Sequence, residues 1–283
     1  MSAPFTAIPP CRRLLLVGDA LGLPALLQVI PLEAVAGLLA ASNRPEALPP
    51  LQALAQRIDK PLLIQPRFRS PGYQDFLLSV AAMAPDSLLC YSYAMIIRPD
   101  LLALLKGRAY NVHPSLLPKN RGPNPIQWAI IRGETQTGHT LHQMAEAVDA
   151  GPILHQQPVP IHLEDTWLTL RDRLNDALPQ FLAESAQRLL CGSAMALPQD
   201  EAQATVNSRL TPQSPKIDWR TMTDLQVYNL IRAQVAPLAG AYCTTASGEI
   251  LRYPEPLTLA QVALLRQSNQ QAMPVTGSFA QGS

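Results

Sequence analysis

The sequence predicts an α/β protein: a doubly wound, mostly parallel sheet with a small C-terminal subdomain. Three observations predict it. Apolar runs of strand length alternate with longer segments of helical spacing through the first two-thirds of the 283 residues, the rhythm of parallel strands joined by crossover helices. Hydrophobic residues make up 47% and charged residues 15%, enough apolar surface to bury a core in one large domain and a small one. The 28 prolines fall mainly between the periodic segments, where a fixed φ stiffens loops and does no damage to helices or strands.

The elements follow in order. Residues 13–17, Arg-Leu-Leu-Leu-Val, read as a buried strand closed by Gly18-Asp19, and a helix follows at 23–29. The apolar run 32–40 reads as a second strand, 51–57 as a helix and 61–64 as a short strand. Residues 73–83 have helical spacing and 87–91 are strand-like. Pro99 opens a short helix over 99–105 at its first turn, Gly107 closes it, and 109–113 form the next strand. Beyond Pro125, residues 126–131 are helical, 138–144 alternate as a strand, 153–161 form another, and 167–191 make a long amphipathic helix. The stretch 192–203 is small and polar, which sets the expected boundary: a main domain over 1–203 and a small region over 204–283. In such sheets ligands sit beyond the carboxyl ends of the strands.

Several classes of function drop out. A formal charge of +1 leaves no basic excess for a polyanion. Cys11, Cys90, Cys191 and Cys243 are dispersed, without a CxxC pair or zinc spacing, so buried reduced thiols and no metal are expected. The run Leu14–Val17 is too short for a leader or a membrane span, so a soluble, cytoplasmic protein is expected. Gly18-Asp19-Ala20-Leu21-Gly22 follows the first strand but lacks the GxGxxG spacing of a dinucleotide loop.

Two polar elements carry chemistry. In Asn111-Val112-His113-Pro114 the alternation of a strand puts Asn111 and His113 on one face, and Pro114 ends the ladder, leaving both at the carboxyl end. A bland hydrogen-bonding role is the alternative for either residue. Thirty-six residues after His113 comes Asp149, in Val148-Asp149-Ala150-Gly151-Pro152, which by itself reads as a turn former. Together they can make more: a carboxylate set against an imidazole favours the charged ring and supplies a proton acceptor.

The segment 110–160 resembles the catalytic core of the folate-dependent formyltransferases, the family of glycinamide ribonucleotide and methionyl-tRNA formyltransferases, the aminoarabinose-pathway formyltransferase and the formylation domains of peptide synthetases. The likeness rests on Asn111-x-His113, on the loop from Ser115 through Leu-Leu-Pro-Lys to Gly122, and on Asp149-x-Gly151. Outside that core, 91–97 occupies the place of the family's pteridine-binding loop, and 217–241 resembles its linker to a C-terminal domain.

The resemblance implies a Rossmann-like formyltransferase fold and 10-formyltetrahydrofolate as the formyl donor to a primary amine, with Asn111, His113 and Asp149 catalytic and no metal. Asn111 and an imidazolium at His113 would bind the developing oxyanion, and Asp149 would keep that ring charged and relay the amine proton. Tyr93, Ala94, Met95, Ile96 and Val148 are implied for the cofactor, with Ala94 standing where relatives often carry arginine. Gly18, Asp19, Ser115 and Lys119 are implied for the acceptor, a plain turn being the other reading of Gly18 and Asp19. His139 and His142, three apart on a strand, face opposite ways, so no metal pair is expected; His142 is expected to be partly exposed. Initiator tRNA is disfavoured, because residues 204–283 hold six Arg/Lys against four Asp/Glu and read as an incomplete barrel. That leaves an amino-sugar nucleotide or a carrier-bound aminoacyl group as acceptor, the latter fitting a domain cut from a larger synthetase. The alternative from another class is a noncatalytic folate-binding module.

Overall fold

A computed structural model describes residues 6–245 and 247–271. In chain order the elements are β1 (Thr6–Ala7), β2 (Leu14–Gly18), α1 (Gly22–Leu27), β3 (Val35–Ala41), α2 (Leu48–Arg57), β4 (Leu62–Gln65), α3 (Tyr73–Met83), β5 (Ser87–Tyr91), α4 (Pro99–Leu104), β6 (Ala109–His113), α5 (Pro125–Ile131), β7 (Gln136–Gln143), β8 (Ile153–Pro160), α6 (Trp167–Cys191), β9 (Met195–Ala196), α7 (Asp224–Arg232), β10 (Ala241–Thr244), β11 (Ile250–Tyr253) and α8 (Leu259–Gln271). Their contacts divide the chain into two discontinuous units. One comprises the residues up to 122 with 137–160 and 173–206, and the other 123–136, 161–172 and the residues from 207 on. The expected boundary after 203 falls close to the last of these divisions, but 123–136 and 161–172, assigned by sequence to the first domain, group with the second unit.

The first unit holds a seven-stranded sheet in the order β4-β3-β2-β5-β6-β7-β8. The pairs β3–β4, β2–β3, β2–β5 and β5–β6 are parallel, and β6–β7 is antiparallel. Alternation sends the side chains of β2 to two cores. Leu14 and Leu16 join Leu38, Tyr110, Leu141 and Phe181 of α6, while Leu15 and Val17 join Leu39, Phe76 of α3, Leu88 and Leu101 of α4. With helices on both faces, β2 and β5 are buried along their whole length, which is why they read as continuous apolar runs. Full burial of one such leucine is worth about 1.5–3 kcal/mol. The strand order reverses between β2 and β5, so the crevice beyond their carboxyl ends is where this architecture takes ligands.

Four sequence expectations change. The run 32–40 opens as a 3-10 turn, Leu32–Ala34, entered from Pro31 at φ −59°, and becomes strand only at Val35. Helix α2 starts at Leu48, ahead of the expected 51, with proline tolerated in its first turn. The two-residue pair β1–β9 was not foreseen. Cys191 is exposed at the end of α6, and only the other three cysteines are buried.

The second unit has its own core: Ile217, Trp219, Val227, Ile231, Ala241, Cys243 and Val262, with Ile131 packed against it. Helix α7 is fixed at its start by a capping box, Thr223 with Gln226. Among its described residues the sheet is the antiparallel pair β10–β11. No helix among the described residues is long and apolar enough to cross a membrane.

Candidate active site

Strand β6 carries Asn111 and His113 to its carboxyl end, and the antiparallel register sets Asn111 opposite His142 and His113 opposite Thr140 on β7. Directly opposed residues share a face, so three polar rings and amides converge. Asn111 Nδ2 lies 3.2 Å from His142 Nε2. The loop after β7 then returns Asp149 between the two histidines: Oδ2 is 3.5 Å from His113 Nδ1, and Oδ1 is 3.4 Å from His142 Nε2. Asp149 has φ 55°, a left-handed conformation that aspartate tolerates better than most residues. Two residues on, a Cβ at Gly151 would meet the Gln143 carbonyl oxygen at 1.9 Å, so only glycine lets the loop pass that close to β7. The three residues singled out in the sequence therefore meet, and His142 joins them. His142 is 2% exposed, which corrects the expectation of a partly exposed side chain. Its pairing with β6 decides this, and local periodicity does not reveal it.

The loop after β6 is fastened from beneath. Ser115 Oγ donates to the Lys119 carbonyl at 2.8 Å, Thr140 Oγ1 donates to the Ser115 carbonyl at 2.6 Å, and Gln156 Nε2 donates to the Leu117 carbonyl at 2.8 Å. This brings the Asn120 carbonyl to 2.9 Å from His113 Nε2 and lets the Gly122 N–H donate to Asp149 Oδ2 at 2.9 Å. A second set of bonds holds the Asp149 loop. Gln199 Nε2 donates to the carbonyls of Asp149 and Gly151 at 2.8 and 2.7 Å, and its Oε1 accepts from the Arg121 guanidinium, which also grips the Glu201 carboxylate. The small, polar stretch 192–203 marks the expected domain boundary, and within it Gln199 and Glu201 hold the Asp149 loop through these bonds.

The remaining sequence candidates divide. Ser115 is fully buried with its hydroxyl engaged inside the loop, whereas Lys119 is exposed. Asp19 forms a turn: Oδ1 accepts from the N–H groups of Leu21 and Gly22, and Oδ2 accepts from the Ser92 hydroxyl. A Cβ on Gly18 would lie 2.7 Å from the Tyr91 carbonyl oxygen, so that glycine serves close passage of the chain. Tyr93 turns its ring into the core, with its hydroxyl donating to Gln65 Oε1 at 2.9 Å. The carbonyls of Ala94 and Ile96 accept from Asn43 and Gln65, which pins the loop after β5. Ile96 and Val148 are exposed and Met95 is half-buried. Among the described residues no group of three or more His, Cys, Asp or Glu is arranged to hold a metal ion.

Charge states follow from burial. Burial raises the Asp149 carboxyl, but the adjacent His113 and His142 and the Gly122 N–H outweigh it and hold the carboxyl at about 2, ionised. For His113, burial dominates and pushes the ring below its ordinary 6.5 despite Asp149 and the Asn120 carbonyl. The imidazolium expected from sequence is thus corrected: at neutral pH the free protein holds a neutral ring. With Nε2–H given to the Asn120 carbonyl, Nδ1 presents a lone pair beside the carboxylate. An ionised carboxylate next to a neutral imidazole can accept a proton from a bound nucleophile and then stabilise the resulting ion pair.

Buried His139 is likewise pushed below 6.5, chiefly by burial. Both rings must charge when the chain unfolds in acid, and the unfolded state then binds more protons. Stability should therefore be level above about pH 7 and fall as pH drops below 6.5, by up to ~1.4 kcal/mol per pH unit for each ring. Urea midpoints at pH 7.5, 6 and 5 measure it. A midpoint unchanged across that range would show that the rings are not buried neutral.

Comparison with known proteins adds a family and a set of folds. The sequence profile described as formyl transferase matches residues 26–185. Among solved structures, a sugar N-formyltransferase from Shewanella sp FDAARGOS_354 is 21% identical, with a TM-score of 0.65 over 87% of this chain and 97% of that one. WlaRD, a sugar 3N-formyltransferase solved with dTDP and 5-N-formyl-tetrahydrofolate, is 19% identical, with a TM-score of 0.59 over 81% of this chain and 79% of that one. Glycinamide ribonucleotide transformylase 1 from Symbiobacterium toebii is 26% identical, with a TM-score of 0.56 over 67% of this chain and 95% of that one.

Proposed function

The chain belongs to the formyl transferase family, and from that membership we propose that it is an N-formyltransferase carrying the formyl group of 10-formyltetrahydrofolate to the amine of an amino-sugar nucleotide. The observation that carries the reading is the convergence of Asn111, His113, His142 and Asp149 at the end of β6, with an ionised carboxylate beside a neutral ring. An ionised Asp149 and an intact network also argue against a noncatalytic folate-binding module. The sugar acceptor is favoured over glycinamide ribonucleotide because the likeness to the Shewanella sugar enzyme runs through 87% of this chain, whereas the likeness to the transformylase runs through 67%.

In the reaction an amine nitrogen attacks the formyl carbon, the C–N10 bond of the folate breaks, and the proton lost by the amine ends on N10. Asn111 is the oxyanion donor: its amide has two hydrogens, one directed to His142 Nε2 and one left for the developing charge. His142, with Nδ1 3.0 Å from the Gln143 carbonyl and Nε2 3.2 Å from Asn111 Nδ2, fixes the orientation of that amide. His113 Nδ1 takes the amine proton, Asp149 stabilises the imidazolium that forms, and the ring then gives the proton up to N10. Exposed Ile96 and Val148 with half-buried Met95 supply apolar surface for the pteridine, and backbone groups of the loop after β5, fixed by Asn43 and Gln65, supply its polar edge. Lys119, exposed beside this loop system in sequence, is the acceptor-side residue kept from the sequence reading, where a phosphate would suit it.

The experiment is a panel of primary amines with 10-formyltetrahydrofolate, read by mass spectrometry. An amino-sugar nucleotide should gain 28 Da, about the mass of CO, as set by the exchange of N–H for N–CHO. Formylation of only an aminoacyl carrier protein or of initiator tRNA would overturn the acceptor, and formate release with no formylated amine would make the protein a hydrolase.

A further inference from the structure

Two loops of the first unit build the candidate active site, and one carboxamide lies between them. The loop after β6 carries Arg121, and the loop after β7 carries Asp149. Gln199, just past β9, reaches both. Its Oε1 accepts from Arg121 Nε at 2.9 Å and Nη2 at 2.7 Å, and its Nε2 donates to the carbonyls of Asp149 and Gly151 at 2.8 and 2.7 Å. A guanidinium only donates and a carbonyl only accepts, so a single orientation of the amide satisfies both sides. Glutamate could not do so, because a carboxylate would set a negative oxygen against two carbonyls. Arg121 is itself fixed. Its side chain is 7% exposed, the Glu201 carboxylate accepts from Nη1 and Nη2 at 2.9 and 2.8 Å, and its backbone N–H donates to the Thr205 carbonyl at 2.9 Å.

The carboxylate that depends on this clamp stands 3.5 Å from His113 Nδ1 and 3.4 Å from His142 Nε2. Ordinary hydrogen bonds span roughly 2.7–3.2 Å, so a small shift of the loop decides whether carboxylate and rings stay coupled. The Gly122 N–H holds one oxygen of the carboxylate, and Gln199 holds the backbone from which the side chain projects. We propose that Gln199, oriented by Arg121, is a positioning residue for proton transfer: it keeps the Asp149 carboxylate against His113. This rests on the formyl-transfer reading of the site and deepens it. Gln199 bonds only backbone in this loop, so it acts through Asp149.

Gln199→Met keeps the length of the side chain and removes both sets of bonds, and two readouts separate positioning from general support of the fold. The first is a double-mutant cycle on formyl transfer. Gln199→Met should lower kcat/KM by about 10–10²-fold, the scale of a displacement of about 1 Å. In the Asp149→Asn background, where the charge is already gone, the further loss should stay below about 2-fold. The second readout needs no turnover. The Gly122 amide proton reports the carboxylate directly, so in Gln199→Met it should shift upfield and exchange faster, as it should in Asp149→Ala. If Gln199→Met fails to fold, Gln199→Glu, which keeps the Arg121 pairing and loses the donor, is read in the same two ways. An equal loss of rate in both backgrounds, or a Gly122 amide unchanged from the parent, would overturn the proposal. So would a near-parental rate in Gln199→Met beside an inactive Asp149→Asn. A near-parental rate in Asp149→Asn itself would instead sink the formyl-transfer chemistry, and the Gly122 amide would then decide by itself whether Gln199 holds the carboxylate.

Discussion

Replacing His113 with alanine is expected to abolish formyl transfer, lowering kcat/KM by about 10²–10⁴, the range over which a positioned acid–base group contributes. The side chain is 7% exposed, and both ring nitrogens face partners, the Asn120 carbonyl and Asp149. Alanine therefore does two things. It removes the proton acceptor, and it leaves a buried carbonyl without its donor, at a cost of about 1–3 kcal/mol in stability. His113→Asn separates the two, since a carboxamide can still donate towards Asn120 but has no basic nitrogen. The asparagine variant should melt closer to the parent and be as inactive as the alanine variant. If either variant turns over at a rate near the parent's while binding 5-formyltetrahydrofolate normally, the proton acceptor is some other group and the assigned chemistry is wrong.

The residues that sequence identified most sharply are those whose surroundings are local. Ser87–Tyr91, Ala109–His113, Tyr73–Met83 and Trp167–Cys191 have the bounds that periodicity sets, because proline, glycine or a clear change of spacing marks each end. Asn111 and His113 were legible for the same reason: Pro114 ends the ladder just beyond them. What was illegible depends on pairing across the chain. His142 enters the site because β7 runs antiparallel to β6 in one particular register, and nothing between residues 136 and 143 encodes that direction. Gln199 and Glu201 act through Arg121, almost 80 residues away in sequence, in a stretch whose composition resembles a linker. The imidazolium was misjudged because proximity of a carboxylate can be read from motifs whereas depth of burial cannot, and at His113 burial is the larger effect. Leu32–Ala34 shows the converse limit: a run that is apolar but for Glu33 holds no clear period, so its periodicity does not separate a turn at its start from the strand that follows.

Asp149→Asn is the second large effect, and its direction on two readouts is fixed by the geometry. Asparagine accepts the left-handed backbone at φ 55° as readily as aspartate, and its oxygen can still receive the Gly122 N–H. The melting temperature should therefore move little, whereas Asp149→Ala loses that acceptor, pays strain at positive φ and should melt lower. What asparagine lacks is the charge. Without it, the imidazolium formed at His113 during transfer stands unpaired in a buried site, and kcat/KM should fall by about 10²–10⁴. The second readout is the pH profile of the residual activity. Asp149 raises the His113 pKa against burial, so its removal lowers that pKa further. The acid limb of kcat/KM, which in the parent should lie below pH 6.5, must then move to still lower pH. An Asp149→Asn variant with a near-parental rate would remove Asp149 from the mechanism, and an acid limb that moves to higher pH would show that His113 does not own it.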